Sequence, residues 1–221
     1  MRSPVLPAAV LFDCDGVLAD SEGLVNRLVA AELTARGWRL SAEQARETFL
    51  GMALPDMLPV IEARVGCLPA DWALVLSDRI GQALLAEVQP VPGAMAAVRA
   101  VVAAGIPVAV ASNSARAELA AKLARLGLAE PFAGRAFSFE DVRRPKPAPD
   151  LYLAAARACG ADPAQCVVVE DSLLGAEAGM AAGCRVLGLT LETDARVFEA
   201  IGALPFAAMA ALPGLLGLAA A

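Results

Sequence analysis

The chain has 221 residues, 58% of them hydrophobic, and a mean hydropathy of +0.59; it is no disordered chain, and it is long enough for one ordinary domain or a core domain with a smaller insert. Its formal net charge of -6, with no Lys/Arg cluster, argues against a nucleic-acid-binding surface. There is no histidine, which excludes Ser-His-Asp and Cys-His triads, His-ligated zinc and a His general base, so any catalysis must rest on carboxylates, Lys, Ser/Thr or a metal.

The N-terminus carries Arg2 and an apolar run, but Asp13 interrupts it too early for a secretion signal. That run, Ala-Val-Leu-Phe from Ala9, reads as a strand ending at Asp13, with Asp15 two residues on. Between Asp20 and about Gln89 no strand pattern is present. GLVNRLVAAELTARG is an amphipathic helix, SAEQARETFLG begins on a Ser41/Gln44 capping box and stops at Gly51, and two further helices are predicted over 54–65 and 71–87. From Pro92 the patterns alternate. Pro92-Gly93 opens a helix to Ala104, and Ile106–Ser112 is a short apolar strand. ARAELAAKLARLG is a helix closed by Gly127, RAFSFEDV holds a weaker strand, and PDLYLAAARACG is a helix ending at Gly160. Asp162 to Gln165 has capping-box spacing with Pro at the first helical position. CVVVED is a continuously apolar strand, LLGAEAGMAAG a helix and CRVLGLT another strand. Ala200 to Ala221 carries no charge and is long enough to span a bilayer, but Pro205 and Pro213 break it; an edge strand near 203–207 and a short closing helix are expected instead.

Repeated strand-helix-strand units predict an α/β fold: a Rossmann-like parallel sheet with helices on both sides. The expected division is a discontinuous core of residues 1–18 and 90–221 and an all-helical cap of residues 19–89. The five cysteines are scattered without metal spacing, which suits free thiols in a reducing cytoplasm. Nothing in the sequence suggests an obligate assembly, and a monomer is expected.

In a parallel sheet of this kind, ligands bind beyond the carboxyl ends of the strands. Asp13 ends the first strand; Ser112 ends the second, followed by Asn113 and Ser114 at a helix N-terminus; Glu170 and Asp171 end the strand after Gln165. Lys146 follows the weak strand between Pro145 and Pro147, which are expected to hold it in extended backbone. Acids, a hydroxyl at a helix N-terminus and one ammonium suit a hard divalent cation and a phosphate. Each piece alone has a plainer reading: an Asp-x-Asp is commonly a turn, Ser-Asn-Ser a helix cap, Glu-Asp a cap for the next helix, Pro-Lys-Pro a loop. Their order at successive strand ends is far more specific. A nucleotide-binding dehydrogenase is disfavoured because no Gly-x-Gly-x-x-Gly follows the first strand.

DCDGVLADSE (Asp13–Glu22), ASNS (Ala111–Ser114), RRPKPAPDLY (Arg143–Tyr152) and VVVEDSLLGAEAGMAAG (Val167–Gly183) together resemble the haloacid dehalogenase-like hydrolase superfamily, in its β-phosphoglucomutase-like branch of capped phosphatases. The resemblance implies a Mg²⁺-dependent phosphatase acting on a small phosphorylated metabolite such as a sugar or sugar-acid phosphate, through an aspartyl-phosphate; a phosphomutase is the alternative. It implies Asp13 as nucleophile and Asp15 as general acid/base. Mg²⁺ would be bound by Asp13, by the Asp15 backbone carbonyl, by Asp171, and by Glu170 directly or through water. The phosphoryl group would be bound by Ser112, Asn113, Lys146 and the Gly16 turn. The like charge of Asp13 is expected to raise the Asp15 carboxyl, which suits an acid. Dehalogenating members lack the second aspartate.

The departures fall in the insert. Mutase members carry a basic loop after the second cap helix and a His in the first; here the loop has Leu50, Met52 and Leu54, and Val25 stands near the His position. This favours hydrolysis. Met52 and Leu54 read equally as a substrate-facing wall and as packing within the insert. Glu22 and Asn26 are candidate substrate contacts, with a solvated helix face the plainer reading for both.

Overall fold

The computed structural model describes residues 6–49 and 52–218. β1 (Ala9–Phe12) is an all-apolar strand, fully buried, and lies inside the sheet. The chain then makes a two-residue strand, β2 (Ala19–Asp20), and enters four helices: α1 (Glu22–Ala35), α2 (Ala42–Phe49), α3 (Leu54–Val65) and α4 (Trp72–Glu87). α2 starts as its sequence requires. Ser41 N donates to Gln44 Oε1 at 2.9 Å and Gln44 N donates to Ser41 Oγ at 3.1 Å, so each satisfies a backbone N–H that the first helical turn would leave unpaired. The chain returns through β3 (Gln89–Pro90), which pairs antiparallel with β2, Ala19 opposite Pro90 and Asp20 opposite Gln89.

The alternating part follows: α5 (Ala94–Ala103), β4 (Val108–Ala111), α6 (Arg116–Arg125), β5 (Ala136–Phe137), α7 (Asp150–Ala158), β6 (Cys166–Glu170), α8 (Leu173–Ala181), β7 (Arg185–Leu189), α9 (Ala195–Ala200), β8 (Leu204–Phe206) and α10 (Leu212–Leu215). The main sheet has the order β5-β4-β1-β6-β7-β8 with every pairing parallel. From β1 the chain runs outward through β4 to β5, then crosses back to β6 on the other side of β1. The carboxyl ends of β1, β4 and β6 therefore flank the topological switch point, where a crevice forms.

Strand alternation sends side chains to two cores. Val10, Phe12, Val110 and Val169 face α5, α6 and α10 and belong to one apolar cluster, which continues through Val17 and Leu18 to Leu33, Ile61, Leu76 and Leu84 of α1–α4. Ala9, Leu11, Ala109 and Val168 face the other way, onto Leu151, Tyr152, Ala176 and Phe198 of α7–α9. Both sheet faces are covered, which is why β1 and β6 read as unbroken apolar runs.

Four local expectations change. β2 and β3 lie where no strand pattern was visible, because two residues are too few to show a period. RAFSFEDV yields only Ala136–Phe137 as strand; Ser138 then caps a 3-10 turn, its Oγ accepting from Glu140 N at 3.1 Å. Asp162 caps a 3-10 turn, not a full helix, accepting from Ala164 N at 3.0 Å. α9 is additional, capped by Asp194, which accepts from Arg196 N at 2.9 Å. The C-terminal expectation matches: β8 is the edge strand and α10 the closing helix, and among the described residues no helix is long and apolar enough to cross a membrane. All five cysteines are free.

Candidate active site

β1, β4 and β6 deliver Asp13, Ser112, Glu170 and Asp171 to one crevice, and the loop before α7 brings Lys146 in from the side. Lys146 is buried. Its Nζ donates to Asp13 Oδ1, to Glu170 Oε1 at 2.6 Å and to the Ala111 carbonyl at 2.8 Å. The Lys146 segment is a turn, not the extended strap expected from its prolines: the Lys146–Pro147 peptide bond is cis and Ala148 N donates to the Pro145 carbonyl at 2.9 Å. What aims the lysine is Asn113, whose side chain brackets its backbone. Asn113 Nδ2 donates to the Lys146 carbonyl at 3.1 Å and Asn113 Oδ1 accepts from Lys146 N at 3.0 Å.

Carboxylate oxygens of Asp13, Glu170 and Asp171 lie within 4.8 Å of one another, and all three residues are buried. Burial pushes the Asp13 carboxyl well above the ordinary aspartate range; Lys146 opposes this, and Glu170 and Asp15 add to it. Burial, then Glu170 and Asp13, push Asp171 up in the same way. Three acids around one lysine leave negative charge in a dry site, and an all-oxygen donor set fits a hard divalent cation. Glu170 is already heavily engaged. Oε1 accepts from Lys146 and, at 2.8 Å, from the Tyr152 hydroxyl; Oε2 accepts from Asp171 N, Ser172 N and Ser172 Oγ at 3.0–3.1 Å.

Two glycines make the close packing feasible. Gly16 has φ +73, and a Cβ there would stand 1.9 Å from Asp171 Oδ2. A Cβ on Gly175 would meet Glu170 Oε1 at 1.6 Å. The carboxylates occupy the space that any side chain would need.

Asp15 faces a different set of partners. Its two oxygens accept from Lys122 Nζ at 2.6 Å each, from Ser114 Oγ at 2.8 Å, from Ser112 Oγ at 3.1 Å and from Ser21 Oγ. Burial pushes the Asp15 carboxyl up, but Lys122 and the hydroxyl donors outweigh it and hold the carboxyl down at about 2. The expectation that Asp13 would raise it is thus reversed: a cation in direct contact outweighs a like charge further off. Lys122 is only 1% exposed and also donates to Ser114 Oγ at 2.6 Å. On the same helix, Glu118 accepts from Ser77 Oγ of α4 at 2.7 Å, tying α6 to α4.

A cavity of about 150 Å³ opens over these groups, lined by Asp13, Asp15, Ser112, Asn113, Lys146 and Asp171 on the sheet side. Glu22, Asn26 and Met52 line it too, so these three residues of the helical insert meet the strand-end residues; Leu50 lies outside the described residues. Glu22 stands 3.9 Å from Arg46, and burial with the nearby Asp15 charge raises its carboxyl to about 6. Met52 and Leu54 serve both of the roles left open for them, lining the cavity and packing against the apolar cluster. The sequence reading missed Lys122, Tyr152, Glu118 and Thr193, whose Oγ1 donates to the Asp171 carbonyl at 2.6 Å. For Lys122 a signal existed: it stands three residues from Leu119 and four from Glu118, on the face that α6 buries.

A family model described as haloacid dehalogenase-like hydrolase matches residues 7–183. The chain is 30% identical over 180 residues to 6-phosphogluconate phosphatase of Escherichia coli K12, covering 80% of each chain. It is 34% identical over 188 residues to hexitol phosphatase A of the same organism, covering 83% of each. Among solved structures, a HAD family hydrolase from Deinococcus radiodurans with bound phosphate and sodium superposes with a TM-score of 0.77 at 34% identity, over 100% of both chains.

Proposed function

The chain belongs to the haloacid dehalogenase-like hydrolases, and on that premise we propose that it is a Mg²⁺-dependent phosphatase of small phosphorylated metabolites, sugar or sugar-acid phosphates among them. The observation that carries this reading is the meeting of Asp13, Glu170 and Asp171 with Lys146 at the carboxyl ends of β1 and β6. In this reading residues 19–89 act as a cap over a core of 1–18 and 90–221, and the enzyme works as a cytoplasmic monomer.

An oxygen of the Asp13 carboxylate attacks phosphorus while the ester P–O bond breaks, leaving an aspartyl-phosphate, and the departing alcohol takes a proton from Asp15. Water then gives a proton to Asp15 as its oxygen attacks phosphorus; inorganic phosphate leaves and Asp13 is restored. Asp13, Asp171 and the Asp15 backbone carbonyl would hold Mg²⁺, with Glu170 reached directly or through water; the bound cation would offset the acids' charge. Lys146 binds the phosphoryl oxygens and stabilises their developing charge. Ser112, Asn113 and the Gly16 turn complete the phosphate site. As Lys122 keeps Asp15 ionised, Asp15 is set for the base half of the cycle; for the acid half Asp15 takes up the proton of an arriving monoester monoanion and passes it to the departing alcohol. Hydrolysis is preferred over a phosphomutase reaction because no second cation lines the cavity among the described residues.

Phosphate release from p-nitrophenyl phosphate tests this. It should fall to background in Asp13→Asn, and EDTA should stop it until Mg²⁺ is returned. Turnover by Asp13→Asn would refute the nucleophile, and indifference to EDTA would refute the metal.

A further inference from the structure

The wall of the cavity opposite the strand ends has its own character. Val25, Phe49, Met52, Leu54, Leu76 and Ile80, from α1–α4 and the segment before α3, line it. Its polar members are Ser21, Asn26 and the carboxylates of Glu22 and Glu118. Among the described lining residues the single cation is Lys146, already engaged by Asp13 and Glu170. Leu50 and Gly51, outside the described residues, carry no charge. The cap cation Arg46 does not line the cavity and is engaged by Glu22, Glu43 and Glu192.

Resting on the phosphatase reading, and narrowing its substrates by setting the sugar-acid phosphates aside, we propose that the substrate is a phosphomonoester whose phosphate is its sole anionic group, and whose alcohol part turns an apolar face to the α1–α4 wall. A second anion, carboxylate or phosphate, would be buried against hydrocarbon and two glutamates without a cation to pair with, and an unpaired buried charge is among the costliest arrangements in a protein. The wall thus selects by exclusion: charge is turned away and an apolar surface is welcomed.

Three esters of similar size separate the alternatives: cyclohexylmethyl phosphate, glucose 6-phosphate and 6-phosphogluconate, each assayed with Mg²⁺ beside p-nitrophenyl phosphate. The expected result is a kcat/KM for cyclohexylmethyl phosphate at least equal to that for glucose 6-phosphate, with both exceeding 6-phosphogluconate by about tenfold or more. Met52→Lys, which places a cation on the half-buried wall, should raise the ratio of 6-phosphogluconate to glucose 6-phosphate turnover by about tenfold. Preference of the unmodified enzyme for 6-phosphogluconate, a lead of glucose 6-phosphate over cyclohexylmethyl phosphate, or an unmoved ratio in Met52→Lys would each overturn the inference. With p-nitrophenyl phosphate still hydrolysed, any of these leaves the phosphatase reading standing. No phosphate release from any of the four esters would overturn both.

Discussion

Two buried lysines stand on opposite sides of the Asp13–Asp15 pair, and their surroundings differ in charge balance. Lys146 sits among three acids, Asp13, Glu170 and Asp171, whose partners leave the group negative; burial pushes Asp13 and Asp171 up. Lys122 faces Asp15 with both oxygens satisfied by the ammonium and three serine hydroxyls, and the Asp15 carboxyl falls to about 2. The same residue type, two positions apart, is held in opposite electrostatic states. The Lys146 side has the donor set that a cation from outside would need. The Lys122 side is complete within the chain. The difference teaches that proximity of like charges does not decide a carboxyl's state in a buried site; the count of contacting donors does.

The largest expected effect breaks the Lys122 side at its acid. Asp15→Asn keeps the shape and removes the proposed proton carrier, so kcat for phosphate release should fall by a factor on the order of 10²–10⁴, while a near-normal rate would remove its acid/base role. Next is the cation: Lys122→Met leaves the half-buried Asp15 carboxylate without its ammonium and should cost about 2–3 kcal/mol in urea unfolding. Adding Asp15→Asn to Lys122→Met should restore most of that loss, since the two residues form one unit. A double variant no more stable than Lys122→Met would show that the lysine acts through packing alone. On the Lys146 side, Mg²⁺ at a hundred times its dissociation constant should raise stability by about 2.7 kcal/mol, and Asp171→Asn should erase the gain. A melting temperature indifferent to Mg²⁺ would remove the contrast between the two sides.

The smallest effect concerns Glu22 at the cavity mouth. Its folded carboxyl, raised to about 6 by burial and Asp15, lies above its ordinary value of 4.5. Stability linked to this group is therefore full below about pH 4.5 and is lost as pH rises through 6. Glu22→Gln in EDTA should be more stable than the parent by about 1 kcal/mol at pH 7–8 and no different at pH 4, with a melting series across pH as the readout.

The strand-end residues were legible because a parallel sheet puts the last residue of each apolar run at the same edge. Asp13, Ser112, Glu170 and Asp171 needed only that rule, and the structure brings all four to one crevice. Lys146 was legible as a site residue, but not the manner of its support: the bracketing amide of Asn113 is a contact between residues 33 positions apart, which no local pattern encodes. Lys122 was passed over because a lysine in an Ala-rich helix ordinarily lies on the solvated face. Its neighbours Leu119 and Leu123 mark the buried face of α6, and a charge there announces a buried partner. Without Lys122 the sequence points to a raised Asp15 carboxyl, and the ammonium of that lysine lowers it instead. The helices of the insert were plain from their periodicity, whereas β2 and β3 were too short to read.

That small ribbon has a consequence for how the molecule can be altered. Asp20 and Gln89 are paired across it, and Val91 N donates to the Leu18 carbonyl at 3.0 Å beside it. The two ends of the intervening segment are therefore held about 5 Å apart, one strand spacing, a gap that an ordinary hairpin turn closes. For the sheet, everything from Ser21 to Val88 is one long loop, and the entropy of closing a loop grows only with the logarithm of its length. Exchange of that segment for a four-residue turn changes the closure term by about 2–3 kcal/mol, and doubling its length by only about 0.6 kcal/mol, while the register of β1 against β4 and β6 stays as it is. The strands keep their register, but Ser21 Oγ, which donates to Asp15, and Ser77 Oγ, which donates to Glu118, leave with the segment, so any replacement has to supply those two hydroxyls again.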